Sequence, residues 1–142
     1  MLFRSPFQCI MLKKGHSVDS HVWDRLRRVL QKHNIGTVFH DYCLDKSCFE
    51  GLLLKFGDIN EVDAFSAFIS VLLFFKNQGI NLEFSKAFDI SVGTKLIRKY
   101  LDGEITKHEL YEKINSDLKA FANRIRPFLL YRPYPKLILF KS

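Results

Sequence analysis

The stretch TVFHDYCLDKSCFEGLLLKF, residues 37–56, and the following EVDAFSAFISVLLFFKN, residues 61–77, decide the fold because they predict two strands and a hydrophobic helix. Residues 37–44 are rich in β-branched and aromatic side chains, which favour a strand. Residues 45–47 have the composition of a turn. The nearly continuous apolar run over residues 49–56 predicts a central strand that is covered on both faces.

The helix predicted over residues 61–77 is hydrophobic around most of its circumference, so we expect it to be the central helix of the core. Residues 78–79, Gln-Gly, are typical of a helix end, and Asp58 or Asn60 is expected to cap its start. Residues 81–88 give no clear pattern.

Hydrophobic spacing and capping residues place the remaining elements around this centre. Asp19 or Ser20 is expected to begin a helix that residues 34–36, Asn-Ile-Gly, end, and the Thr106 and Glu109 pair fits a capping box. These further elements are a strand over 7–12 and helices over 20–33, 91–101 and 107–126. We therefore predict a single domain of the α+β (or α/β) class, with a small mixed sheet packed by about four helices.

Positive charge is concentrated near the C-terminus of this 142-residue chain, whose formal net charge is +7. No acidic residue follows Asp117, whereas six basic residues do: Lys119, Arg124, Arg126, Arg132, Lys136 and Lys141. The rest of the chain is nearly balanced in charge, so its body lacks the basic surface typical of nucleic-acid-binding domains. Only the C-terminal end can act as an electrostatic footprint.

Residues 132–142 form a basic tail, in which we expect an edge strand over residues 137–140. Aromatic residues alternate with the cations at this end of the chain: Phe128, Tyr131, Tyr134 and Phe140. Such side chains can stack on single-stranded nucleic acid, or they can anchor the tail on the domain. The prolines suit an extended, pinned tail and favour the second interpretation.

The three cysteines, Cys9, Cys43 and Cys48, are an odd number, which argues against a disulfide framework and for a reducing compartment. Residues 4–6 interrupt the apolar N-terminus, so we predict no signal peptide. The longest apolar stretch, residues 64–75, is too short to span a bilayer. We therefore expect a cytoplasmic protein with no membrane span.

The nearest approach to a metal motif is His40, Cys43 and Cys48, but zinc needs four converging ligands and no fourth has suitable spacing. We expect core cysteines beside a surface histidine. The chain also has no phosphate-binding glycine loop and no local signature of a nucleophilic enzyme. We therefore predict no metal, no cofactor and no defined catalytic residue, and whether the chain is an enzyme stays open.

Asp58, Glu61 and Asp63 form an acidic cluster at the start of the predicted central helix. Paired carboxylates perform glycoside hydrolysis when they flank a cleft. Acidic residues at a helix N-terminus also cap it and complement its dipole, and we favour this interpretation. These three residues and His40 are the functional candidates. An unrelated small enzyme, which is a third hypothesis, would use His40 or Asp58.

The order of several short motifs resembles the C-terminal domain of the exo-β-N-acetylmuramidase (NamZ-like) family. Near the end of the chain, Leu118 and Phe121 match a Leu-x-x-Phe pair, and residues 128–131, FLLY, match a closing Tyr-Leu-Leu-Tyr-like signature. Upstream, residues 88–98, FDISVGTKLIR, are similar to a Phe-Asp, Gly-Thr, Arg segment of that family. The strand over residues 51–58 is similar to its Gly-Val-Gln-Ile-His-Val-Thr-Asp strand.

The chain also departs from the family pattern. Phe49 stands where the family has a cysteine, Lys55 replaces the strand histidine, and Ala64 replaces a proline. The N-terminal domain that carries the family's catalytic acid has no counterpart in residues 1–142, so the resemblance transfers no catalytic residue.

The resemblance implies that residues 1–131 are an accessory domain, from a split or truncated family member without independent catalysis. Family enzymes remove terminal N-acetylmuramic acid from peptidoglycan fragments of bacterial cell walls, so the implied partners are a separate catalytic domain or chain and such fragments. The alternative is a small basic module that binds nucleic acid or another polyanion through residues 132–142, although the balanced body of the chain disfavours nucleic acid.

Overall fold

The computed structural model describes residues 8–14, 19–44, 46–58, 61–84 and 86–128. The chain divides into two compact units, the first ending at Leu82 and the second beginning at Glu83. The strand predicted over residues 137–140 and the basic tail over residues 132–142 lie outside the described residues.

A three-stranded sheet and two helices form the first unit. Its elements are β1 (Cys9–Lys13), α1 (Ser20–Gln31), β2 (Ile35–Leu44), β3 (Ser47–Phe56) and α2 (Ala64–Asn77). The strand order is β1-β3-β2, so the prediction of a central strand near residues 49–56 is confirmed. Both pairings are antiparallel, so the sheet is antiparallel where we expected a mixed one.

One face of the sheet packs on the two helices. Residues that lie opposite each other in an antiparallel pair share a face of the sheet. One face therefore contains the pair Ile35 and Phe56, together with Leu52 and its two partners, Ile10 and Phe39. This face and the apolar sides of α1 and α2 form one core, whose buried members are Trp23, Leu26, Leu30, Ile35, Leu52, Ala67, Val71 and Phe75. The helical spacing of the α1 residues explains why that helix buries one side.

The two ends of α1 are set by different residues. The Asp19 carboxylate accepts a hydrogen bond from the backbone N–H of His21 at 3.0 Å, which confirms one of the two predicted caps. The chain then reverses at Asn34, whose φ is 57°, and not at Gly36 as expected. Asparagine adopts this left-handed conformation more readily than most residues do, which explains the difference.

β1 lies unusually close to Gly51 of β3. A Cβ atom at Gly51 would overlap the carbonyl oxygen of Ile10 and lie 2.8 Å from the Cα of Met11. Gly51 pairs with Met11 on one side and with His40 on the other. The glycine is therefore required for the close approach of these two backbones.

Helices form the second unit: α3 (Lys86–Val92), α4 (Leu96–Leu101) and α5 (Lys107–Ile125). The single helix predicted over residues 91–101 is wrong, because Gly93, with φ of 77°, separates α3 from α4. Residues 86–90 continue α3 into the stretch that gave no clear sequence pattern.

α5 follows its predicted start and end closely. The Thr106 hydroxyl accepts from the backbone N–H of Glu109 at 3.2 Å, while the Thr106 N–H donates to the Glu109 carboxylate at 2.7 Å, so the capping box is confirmed. Pro127 lies in a single 3-10 turn over residues 126–128. Leu110 and Tyr111 are buried, whereas Phe121, which belongs to the family-like Leu-x-x-Phe pair, is 49% exposed.

These elements confirm the predicted α+β class. None of the helices within the described ranges combines the length and the hydrophobicity needed to cross a membrane.

Candidate functional site

The acidic cluster lies on the connection between β3 and α2. Asp58, Glu61 and Asp63 are all exposed. The Asp58 carbonyl accepts the Glu61 N–H at 3.0 Å, and the Glu61 carbonyl accepts from the Asn34 side-chain amide at 3.2 Å. These contacts join main-chain carbonyls of this connection to the end of α1, so they hold the backbone and engage neither carboxylate.

Asp63 is the N-cap of α2. Its Oδ1 accepts from the Ser66 backbone N–H at 2.9 Å, and its Oδ2 accepts from the Ser66 hydroxyl at 2.6 Å. The capping interpretation of the acidic cluster is thus confirmed for Asp63. α2 does not begin at Asp58 as one expectation had it, and the other expected cap, Asn60, lies outside the described residues. α2 begins three residues later than predicted because the cap itself lies at Asp63.

His40 does not meet the two cysteines in a metal site. It lies opposite Gly51 on β2 and is half-buried, and the strand pleat places Cys43 on the opposite face. Cys43 and Cys48, which are directly paired across β2 and β3, form a disulfide. No group of three or more histidine, cysteine, aspartate or glutamate side chains within the described ranges is arranged to hold a metal ion.

The disulfide overturns the expectation of reduced core cysteines. Cys43 is exposed and Cys48 is half-buried, so neither is a core residue, and only Cys9 is a free thiol. The bridge closes the β2–β3 hairpin at a sequence separation of 5. The prediction against a disulfide, drawn from the odd cysteine count, is therefore wrong for Cys43 and Cys48.

A histidine and a serine that we did not single out from the sequence come together beside the core. The Nε2 atom of His33 lies 2.9 Å from the Ser70 hydroxyl, in a partly buried position. A catalytic pair of this kind requires an acid that orients the imidazole. Among the described residues no carboxylate contacts the His33 ring, so the pair joins the end of α1 to α2 without forming a triad.

In the second unit, polar side chains of the Phe-Asp, Gly-Thr, Arg segment (residues 88–98) bond to other residues of the same segment. The Arg98 guanidinium donates to both oxygens of Asp89, at 3.3 and 3.1 Å, and lies 5.5 Å from the centre of the Phe84 ring. The Thr94 hydroxyl accepts the Leu96 N–H at 3.1 Å, at the start of α4. Asp89 and Arg98 therefore join α3 to α4, and Thr94 holds the backbone at the start of α4.

Within the described part of the chain, three titrating groups have pKa values perturbed by their surroundings. A hydrogen bond to Asp41 raises the pKa of Lys14, at an exposed position. Burial raises the pKa of Tyr100, and the neighbouring Tyr111 adds to that effect. Hydrogen bonds from Thr106 lower the pKa of Glu109. None of these groups is among the predicted candidates, and none shows the pairing of a nucleophile with a base.

A groove of about 410 Å³ lies between α1 and the start of β2. Its walls are formed by Asp24, Arg27, Arg28, Gln31, Ile35, Gly36 and Thr37. The four helix residues stand at positions i, i+3, i+4 and i+7, which is one stripe of α1. The sequence offered a signal for this stripe, since polar residues alternate with the apolar ones that face the core.

The fold and these sites define a small α+β domain in which Asp63 caps α2 and the Asp89–Arg98 pair joins α3 to α4. The protein-family model for the C-terminal domain of the exo-β-N-acetylmuramidase NamZ matches residues 25–131 of the sequence. The chain belongs to this family of domains, and the resemblance inferred from the ordered motifs is confirmed. Comparison with curated proteins and with solved structures found no match.

Proposed function

We propose that this chain is an accessory domain that works with a peptidoglycan exo-β-N-acetylmuramidase, and that the catalytic groups belong to a separate domain or chain. The family match over residues 25–131 carries this proposal. The enzyme named by the family releases N-acetylmuramic acid, a sugar of bacterial cell walls, so peptidoglycan fragments are the substrate class. The accessory domain is assigned to residues 1–131 and the basic tail to residues 132–142.

The chemistry of the described residues supports a role without independent catalysis. Glycoside hydrolysis ordinarily requires one carboxyl group as acid and a second as nucleophile or base, on the two sides of the bond that is broken. Asp63 instead caps α2, and Asp58 and Glu61 lie on an exposed connection. Neither of these two lines the groove between α1 and β2.

The test is release of N-acetylmuramic acid from a chromogenic muramide. We expect no release by the purified chain alone. We expect a separately expressed catalytic domain of a family enzyme to act faster when this chain is added, with a rate that saturates as the chain's concentration rises. A complex of the two, measured by sedimentation, should form over the same concentration range.

The matched control is the chain carrying Asp58→Asn, Glu61→Gln and Asp63→Asn. Asparagine retains the ability to cap a helix, so this variant should fold and should support the catalytic domain as the unaltered chain does. Release by the chain alone that disappears in this variant would instead identify an active site in the acidic cluster. Absence of both a complex and a rate increase would contradict the accessory role.

A further inference from the structure

We propose that the groove between α1 and β2 is a binding site for a monoanionic sugar acid, a site that the family assignment does not include. The identity of the sugar as N-acetylmuramic acid rests on the proposed function. The geometry and charge of the groove supply the rest of the argument.

The groove has the volume of a small-molecule site, and it is open to solvent, since the Arg27 and Asp24 side chains are 51% and 60% exposed. Its volume of about 410 Å³ falls in the range of ligand pockets, roughly 300–1,000 Å³. One wall is the polar stripe of α1, which lies opposite the buried stripe containing Trp23, Leu26 and Leu30. The other wall is the first part of β2, an edge strand of the sheet, whose alternate backbone N–H and C=O groups face away from β3.

The charges of the groove match a single anionic group. Arg27 and Arg28 contribute two positive charges and Asp24 contributes one negative charge, so the site carries a net charge of +1. Arg27 is already engaged, at 3.7 Å, with Asp24. Arg28 has no ion pair within the described ranges, so its guanidinium fork is available for a carboxylate.

The remaining polar groups match the hydroxyl and amide groups of a sugar. The Gln31 amide and the Thr37 hydroxyl both donate and accept hydrogen bonds, and the Asp24 carboxylate accepts from hydroxyls. Asp24 also disfavours a polyphosphate or a nucleic-acid backbone, since their multiple negative charges would meet a carboxylate. A sugar with one carboxylate and several hydroxyls satisfies all of these groups together.

The experiment is a titration of the isotope-labelled full chain, followed by amide chemical shifts. N-acetylmuramic acid is the probe, and N-acetylglucosamine is the matched sugar without the lactyl carboxylate. Lactate supplies that carboxylate without the sugar. We expect N-acetylmuramic acid to shift amides in residues 24–37 and to bind at least about tenfold more tightly than either control, a difference typical of one charge-assisted hydrogen bond.

Variants on α1 connect this binding to the groove. Arg28→Gln should raise the dissociation constant for N-acetylmuramic acid by about tenfold. Arg27→Gln should raise it less, because Arg27 is paired with Asp24 and contributes mainly its charge. Arg25→Gln is the control, because Arg25 is an exposed arginine of the same helix that does not line the groove. Amide spectra of all three variants report whether they remain folded.

Three results would overturn the proposal: equal binding of N-acetylmuramic acid and N-acetylglucosamine, equal binding of lactate, or unchanged affinity in both groove variants. The outcome is independent of the rate measurement with a separate catalytic domain. A chain that accelerates that domain but does not bind the sugar acid loses only the groove assignment. A chain that binds the sugar acid but has no effect on the catalytic domain loses only the accessory role.

Discussion

At the scale of single residues, Asp63 shows how one carboxylate serves folding where its sequence context also fitted catalysis. Both of its oxygens accept hydrogen bonds from Ser66, at the first turn of the most hydrophobic helix of the chain. We expect Asp63→Ala to lower the free energy of unfolding by about 1 kcal/mol, the usual cost of losing an N-cap. Urea unfolding followed by circular dichroism measures this change.

Glu61→Ala is the control for this prediction. Glu61 is exposed and belongs to the same connection, but its identified partners bond to its backbone N–H and carbonyl, which the substitution leaves in place. Its effect should stay within about 0.5 kcal/mol. Equal effects of the two substitutions would contradict the capping role assigned to Asp63.

Gly51 is a second residue whose identity is fixed by its contacts, because a Cβ atom there would overlap the backbone of β1. Gly51→Ala should therefore either separate β1 from β3 or distort both. We expect a loss of at least about 2–3 kcal/mol in the free energy of unfolding, comparable with an overpacked core site. Thermal and urea unfolding both measure it.

Gly57 provides the matched comparison, since it follows β3 and a Cβ added there would have open space. Gly57→Ala should be neutral or should stabilise the chain by up to about 1 kcal/mol through the unfolded state. If Gly51→Ala proved as mild as Gly57→Ala, the close approach of β1 to Gly51 would be wrong.

At the scale of elements, the capping box makes the stability of α5 depend on pH. Thr106 hydrogen bonds favour the ionised form of Glu109, so its pKa lies below the ordinary value of 4.5. A lowered pKa means that this stabilisation is fully present above pH 4.5 and is lost as the pH falls through the lower, folded-state pKa. The melting temperature should therefore decline in acid partly through Glu109.

Glu109→Gln tests this dependence. The difference in melting temperature between the unaltered chain and the variant should be largest above pH 4.5 and should shrink as the pH falls through the lowered, folded-state pKa, because protonation then removes the same charge. Glu83→Gln, at an exposed position outside the helices, should leave the pH profile unchanged. A difference that is independent of pH would rule out the carboxylate as the source.

The Asp89–Arg98 pair predicts a measurable coupling between α3 and α4. It is bidentate and its side chains are 20% and 35% exposed, whereas the Lys113–Asp117 pair of α5 is about 60% exposed on both sides. A double-mutant cycle with Asp89→Asn and Arg98→Lys should give about 1 kcal/mol, allowing for solvent screening of the partly exposed pair. The corresponding cycle on the exposed pair should give about 0.3–0.5 kcal/mol.

Urea unfolding of the four chains in each cycle provides these couplings. Equal couplings for the two pairs would show that Asp89 and Arg98 do not hold α3 to α4. In that case the family-like segment would require another explanation for its polar residues.

The same elements show what sequence reasoning reaches. A nearly continuous apolar run and a complete capping box carry their signals locally, so β3 and α5 were predicted within a few residues. The expected burial of β3 on both faces is limited to Gly51 and Leu52, and the rest of the strand is half-buried or exposed. The disulfide was missed because the turn was placed over residues 45–47, which put Cys48 outside the strand. In the structure Ser47 pairs with Leu44, and this register brings Cys48 opposite Cys43.

Other features depend on contacts that no local pattern encodes. His33 and Ser70 are 37 residues apart and meet only because α1 packs on α2. Gly93 lies inside an apparently helical pattern, and only its positive φ shows that two helices meet there. The groove needs both α1 and β2, so the sequence showed its helical stripe but not the opposite wall.

At the scale of the whole molecule, the distribution of charge decides between the accessory role and the polyanion-binding alternative. Residues 132–142 carry Arg132, Lys136 and Lys141 and no acidic residue, so deleting them lowers the formal net charge from +7 to +4. If the chain is an accessory domain, this charge produces only non-specific attraction to polyanions. Such binding has dissociation constants of roughly 10⁻⁴–10⁻⁶ M at physiological salt and weakens steeply as salt increases.

At about 0.15 M salt, we therefore expect the full chain to bind single-stranded DNA and heparin with dissociation constants no lower than about 10⁻⁶ M. The chain ending at residue 131 should bind both polyanions more weakly. Fluorescence anisotropy over a series of salt concentrations measures the two effects. A nucleic-acid-binding module would instead combine charge with base stacking, so its affinity would be higher and would differ between the two polyanions. A dissociation constant for DNA well below 10⁻⁶ M, with no such affinity for heparin, would favour that alternative if it is lost on removing residues 132–142. Charge alone would attract both polyanions and would not distinguish them.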